Sequence, residues 1–204
     1  MTMRIGIDFD NTIIDYDRVF NLAACQQRLL DAGFAGSKRE VRDAIRLLPD
    51  GEFAWQRLQG YVYGAGIGGA TPFAGFDRFL CRCRDRGLPV FVVSHKTRYG
   101  HYDPARVDLR QAALGWMAEQ GLLRGDGALR ADRIFFEDDR ANKLQRIASL
   151  GCTHFIDDLE EVFADPGFPA GVARILFATT RAACCDVHCP TWEAVTSTIL
   201  GDDD

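Results

Sequence analysis

Five short apolar runs, at about residues 4–9, 89–94, 133–136, 153–157 and 173–178, alternate with stretches whose apolar residues recur at helical spacing. This alternation constrains the chain more than any other feature. Strands joined through helices lie parallel in one sheet, with right-handed crossovers and helices covering the sheet. Phe76, Phe79, Leu80 and Cys83 form one helical stripe ending at Gly87, and Leu109, Ala112, Ala113, Trp116 and Met117 form another ending at Gly121. Leu144, Ile147 and Ala148 repeat the pattern before Gly151. The expected class is α/β, with a Rossmann-like, three-layer parallel sheet, and 204 residues suffice for one such core and a small insert.

The insert falls between the first two strands. Residues 17–32 are expected to form a helix ending near Gly33, and residues 52–63 another, with Trp55, Leu58 and Val62 on one side. Between them Val41, Ala44, Ile45 and Leu48 follow i, i+3, i+4, i+7 spacing, behind a capping box made by Ser37 and Glu40. The glycine-rich stretch 64–69 interrupts regular structure. Residues 16–71 therefore read as a small α-helical cap, and residues 1–15 with 72–204 as the core.

The first apolar run, Arg4-Ile5-Gly6-Ile7, delivers Asp8, Asp10 and Thr12 at alternate positions. Acidic residues at the carboxyl end of such a strand lie where open α/β sheets bind ligands. Two carboxylates spaced this way can hold a metal, attack an electrophile and move a proton, although Asp there also commonly begins a turn. Further signals follow in order, each just beyond a strand: Ser94, then Lys143 in a helix, then Asp157-Asp158.

Together these residues resemble the four motifs of the haloacid dehalogenase (HAD) superfamily of phosphohydrolases. The resemblance covers about residues 1–15 and 72–204 and implies a strand order of 3-2-1-4-5. It implies Asp8 as nucleophile, Asp10 as general acid/base, Thr12 and Ser94 as phosphate ligands, and Lys143 as the charge-neutralising base. Asp157, with Asp158 beside it, would bind Mg2+ together with Asp8 and the backbone carbonyl of Asp10. Asn11 stands where the superfamily more often has Gly; Asn tolerates left-handed backbone, so the turn stays feasible. Dehalogenases of the superfamily lack the second Asp, because a halide leaves without a proton, so Asp10 points to phosphate ester hydrolysis. The implied substrate is a small phosphorylated metabolite such as a sugar phosphate or nucleotide. A phosphotransferase or mutase would use the same site, and a non-catalytic phosphate-responsive module could retain it.

Weaker signals surround these. Glu137-Asp138-Asp139 also follows a strand and competes with Asp157-Asp158 for the metal role, but Asp139 suits an N-cap for the helix bearing Lys143. Lys96 and Arg98, just after Ser94, are candidates for substrate specificity by clamping a second phosphate or a carboxylate. Phe20, Trp55 and Tyr61 are candidate pocket residues in the cap, or else its own core. Cys184, Cys185, His188 and Cys189 fit no paired zinc-binding spacing, and His154 reads as a core histidine. Seven scattered cysteines indicate a reducing compartment. With neither a leader nor a long apolar run in the sequence, a cytoplasmic location without membrane association is expected. A formal net charge of −5, partly from Asp202-Asp203-Asp204, gives no footprint for nucleic acid.

Overall fold

The computed structural model of the chain describes residues 2–123, 129–180 and 182–201. The acidic tail Asp202-Asp203-Asp204 lies outside the described residues. Along the chain come β1 (Ile5–Ile7), β2 (Ile14–Asp15), α1 (Asp17–Gln26), α2 (Lys38–Arg46), α3 (Gly51–Tyr63), β3 (Thr71–Pro72) and α4 (Phe76–Asp85). Then follow β4 (Val90–His95), α5 (Leu109–Glu119), β5 (Ile134–Glu137), α6 (Arg140–Ser149), β6 (His154–Asp157), α7 (Glu160–Phe163), β7 (Ala173–Leu176), β8 (Val187–His188) and α8 (Trp192–Leu200). No helix among the described residues is long and apolar enough to cross a membrane. The chain divides into two compact units: Met1–Ile13, Pro72–Lys96 and Gln120–Asp204 in the first, Ile14–Thr71 and Thr97–Glu119 in the second.

The first unit is built on a six-stranded sheet ordered β5-β4-β1-β6-β7-β8, with parallel pairing throughout. Numbered by their own sequence, its strands run 3-2-1-4-5-6, the order implied by the resemblance with one strand added. That extra strand, β8, is only two residues long with Val187 exposed, so no apolar run announced it. β1 lies centrally, with Ile7 facing Val92 on one side and Ile156 on the other. Each flanking helix buries its apolar stripe: Phe76, Phe79, Leu80 and Cys83 on α4, Leu144 and Ile147 on α6, and Trp192, Val195 and Ile199 on α8. Gly87 and Gly151 follow α4 and α6 at φ 65° and 61°, a left-handed turn that a Cβ would oppose.

In the second unit α2 carries both hydrogen bonds of the Ser37–Glu40 capping box, and Val41 and Ile45 are buried. Phe20 stacks on Trp55 at 5.0 Å between ring centroids, and Tyr16 meets Tyr63 at 4.8 Å. Segment 97–119 packs with these helices. Trp116 of α5 is buried and donates its indole N–H to the Ala70 carbonyl at 3.1 Å. Gly100 approaches Gly60 of α3 so closely that a Cβ on it would lie 2.6 Å from the Gly60 Cα. The first helix is shorter than its periodicity suggested, stopping at Gln26 and not near residue 32. Arg28 takes φ 56° and the Leu29 N–H turns back to the Ala24 carbonyl at 2.9 Å, which closes the helix without a glycine.

Candidate active site

Asp8 follows β1 directly, and its N–H donates to the Ile156 carbonyl at 2.9 Å, extending the ladder by one residue. This register sets Asp8 beside Asp157, the last residue of β6. Beyond Asp8 the chain turns sharply: Ile13 N–H donates to the Phe9 carbonyl at 3.0 Å, and Asn11 adopts φ 56°. Asn is among the few non-glycine residues that take this conformation readily, as the sequence led us to expect. The turn is anchored by α8, where the buried Trp192 indole donates to the Thr12 carbonyl at 2.9 Å.

Lys143 reaches the same point from α6. Asp139 caps that helix, accepting the Asn142 N–H at 2.8 Å, as expected from sequence. The buried Lys143 ammonium donates to Asp8 Oδ1 and to Asp157 Oδ2, both at 2.6 Å. Asp157 Oδ1 accepts the Leu159 N–H at 3.0 Å, and Asp158 Oδ2 accepts from the Asn11 amide at 3.4 Å. Carboxylate oxygens of Asp8, Asp157 and Asp158 lie within 4.8 Å of one another. Such a set of hard oxygen donors suits a divalent cation of the Mg2+ type. Of the two acidic pairs, Asp157-Asp158 is the one beside Asp8; Glu137 instead pairs with Arg146 at 2.7 Å.

The electrostatics follow from this burial. Loss of water pushes the Asp8 carboxyl up to about 7; Lys143 works against that shift, and Asp157 and Asp10 add to it. For Lys143 burial alone would favour the neutral amine, but the charges and hydrogen bonds of Asp157 and Asp8 outweigh it and hold the ammonium above its ordinary range. Ser94, near the end of β4, and Thr12 are both buried. The Thr12 hydroxyl is a buried polar atom without a hydrogen-bond partner among the described residues.

The residues after Ser94 part company. Lys96 is buried, and its ammonium contacts Asp10 Oδ1 at 3.0 Å and Oδ2 at 2.9 Å. Sequence reasoning grouped Lys96 with Arg98 and missed this pair. The available signal was strand alternation, which sends Ser94 and Lys96 to one face and the exposed His95 to the other. Arg98 donates to Asp108 Oδ2 at 2.8 Å within the second unit. Phe20 and Trp55 are core residues there, whereas Tyr61 is partly exposed. Trp192 was another omission, since an indole far along the chain gives no local hint of the loop it holds.

The remaining candidates do not form a second centre among the described residues. Cys184 and Cys185 sulfurs lie 3.6 Å apart, and Cys189 Sγ sits 3.5 Å from Thr198 Oγ1. Burial pushes the Cys185 thiol up to about 12, away from the thiolate a metal needs. His154 is half-buried, its Nδ1 2.9 Å from Thr153 Oγ1, and burial lowers its pKa.

No protein-family model matches the sequence, and no curated protein matches it. Solved structures do match, along nearly the full chain. A haloacid dehalogenase-like family hydrolase from Streptococcus pneumoniae is 13% identical with a TM-score of 0.65, over 98% of this chain and 99% of that one. A HAD family hydrolase from Deinococcus radiodurans, with bound phosphate and sodium, is 16% identical with a TM-score of 0.58, over 97% and 95%. A dehalogenase with an intermediate complex is 13% identical with a TM-score of 0.57, over 99% and 98%. The chain has the fold of the HAD-like hydrolases, with an acidic cluster beside its first strand.

Proposed function

We propose that this HAD-like fold carries a magnesium-dependent phosphatase acting on a small phosphorylated metabolite through an aspartyl-phosphate intermediate. The observation that carries the reading is the buried Lys143, bridging Asp8 and Asp157 at 2.6 Å each, with a second carboxylate–ammonium pair formed by Lys96 and Asp10, the acid two residues beyond Asp8. A phosphate monoester is a dianion that repels an anionic nucleophile, so the site must supply positive charge. Lys143 supplies part of it. A divalent cation held by Asp8, Asp157, Asp158 and the Asp10 carbonyl would, when bound, neutralise the rest.

Asp8 attacks phosphorus in line with the ester oxygen. The Asp8–phosphorus bond forms, the ester bond breaks, and Asp10, in its protonated form, gives a proton to the leaving oxygen. In the second displacement Asp10 takes a proton from water, which attacks the phosphoenzyme, frees inorganic phosphate and restores Asp8. Thr12 and Ser94 hydroxyls would hold the non-bridging oxygens. The phosphate bound in the Deinococcus relative supports phosphate chemistry on this fold. Against the dehalogenase alternative stands Asp10, a proton donor that halide departure does not use.

The test is turnover of p-nitrophenyl phosphate and of a panel of phosphorylated metabolites, with magnesium and with chelator. Activity should require the cation and fall by several orders of magnitude in Asp8→Asn. Chelator-resistant release of halide from a haloacid, with no phosphate ester hydrolysed, would replace this reading by dehalogenation. Transfer of the phosphoryl group to a second metabolite in preference to water would make the enzyme a phosphotransferase.

A further inference from the structure

We infer that Lys96 is a positioning residue for Asp10: it fixes the carboxyl group that, when protonated, passes its proton to the leaving oxygen, and it does not contact substrate. This inference rests on the phosphatase reading. Lys96 follows β4 immediately, yet its backbone N–H continues the ladder by donating to the Glu137 carbonyl at 2.9 Å. Its side chain is 2% exposed, and its ammonium lies 5.4 Å from the centroid of the buried Phe9 ring, the residue between Asp8 and Asp10. The backbone, stem and head of this lysine are therefore each held. Its head engages both oxygens of Asp10, at 3.0 and 2.9 Å.

Engaging both oxygens matters because the terminal torsion of a carboxylate is soft, and an Asp held at one oxygen sweeps the other through a wide arc. A proton donor works only when the oxygen that carries the proton lies within hydrogen-bond reach of the departing atom. When Asp10 is protonated, the ammonium keeps one oxygen and the other, bearing the proton, is turned to that atom; loss of that alignment is costly. Lys143 cannot do this job, since its contacts go to Asp8 and Asp157. Two ammonium groups thus serve separate carboxylates: Lys143 steadies the nucleophile and Lys96 the acid. Substrate specificity, the role that its place after Ser94 suggests, would need the Lys96 head to be free for a ligand. Its burial against Asp10 opposes that.

The experiment measures the first displacement alone, as the rate of hydroxylamine-sensitive phosphoenzyme formation by rapid quench, for wild type, Lys96→Met, Lys96→Arg, Asp10→Asn and the Asp10→Asn/Lys96→Met double variant. Each is assayed with an alkyl phosphate and with p-nitrophenyl phosphate, whose phenolate departs with little protonation. Lys96→Met should lose about 100-fold on the alkyl ester, the low end of general-acid contributions, and under about tenfold on the aryl ester. Lys96→Arg, which can fork onto both oxygens, should recover much of the alkyl rate. The double variant, which leaves no unpaired charge, should be no slower than Asp10→Asn alone on either ester. Equal losses on both esters, or additive losses in the double variant, overturn the inference. The phosphatase reading is judged separately, by whether wild type forms the phosphoenzyme and Asp8→Asn does not. If Lys96→Met does not fold, the double variant against Asp10→Asn decides, because any further loss there gives Lys96 a role independent of Asp10.

Discussion

Asp8 sits in a site whose acidity is set by what surrounds it. Burial raises its carboxyl to about 7 from an ordinary 3.8, so between those values the folded, metal-free protein holds a proton that the unfolded chain has already released. Stability of the metal-free protein should therefore fall as pH rises through that window. Asp8→Asn should remove that part of the slope, which thermal unfolding in chelator at pH 5 and pH 8 would reveal. A cation needs the ionised carboxylate, so magnesium binding at pH 6 should expel a proton and at pH 8.5 should not; calorimetry in buffers of different ionisation enthalpy measures this. Asp10 permits a sharper test. Asp10→Asn should release a burst of nitrophenolate approaching one equivalent per site and then stall as phosphoenzyme, because the second displacement lacks its base. Steady wild-type turnover in that variant would sink the mechanism. At this scale Asp8 and Asp157 were legible because each sits at a strand end, and Lys143 because it lies in the first turn of the helix that follows one, all in a fixed order. The partner of Lys96 was not, since spacing tells which face a side chain takes but not which carboxylate waits there.

The elements explain how residues far apart in sequence arrive together. Register does most of it: with Ile7 facing Ile156, the next residue on each strand must be Asp8 and Asp157. Lys143 depends instead on where α6 begins. The Asp139 side chain fixes that start by accepting the Asn142 N–H, and its carbonyl accepts the Lys143 N–H at 3.1 Å. Asp139→Ala should cost about 1 kcal/mol of stability, with Asp139→Asn close to wild type, as read by chemical denaturation. Activity should drop in the alanine variant in step with any loosening of the first turn. Caps and glycine stops were legible because each carries a local chemical signature. The end of α1 was not, because Arg28 supplies a left-handed turn that sequence assigns to glycine, and β8 was too short to show a period.

At the scale of the whole molecule, the alternation of strands and helices was enough to give a parallel sheet with crossover helices, whereas the order of its strands came from the family resemblance and lacked β8. The alternation did not reveal that segment 97–119 packs with the helices of 14–71, since contacts between chain segments that far apart follow no local period. Excised residues 14–71 would lack Trp116, the donor to the Ala70 carbonyl, along with the buried face of α5. Such a fragment should show little helix by circular dichroism, and a polypeptide that joins it to 97–119 should regain it. The meeting of Gly60 and Gly100 carries this further. With a Cβ at Gly100 only 2.6 Å from its neighbour's Cα, that seat admits no side chain, so the two segments fit one another as a matched pair. Anyone seeking to transplant this second unit between proteins of this fold would have to move both segments at once: a lone exchange of the first would bring a stranger's α3 against a loop cut for another.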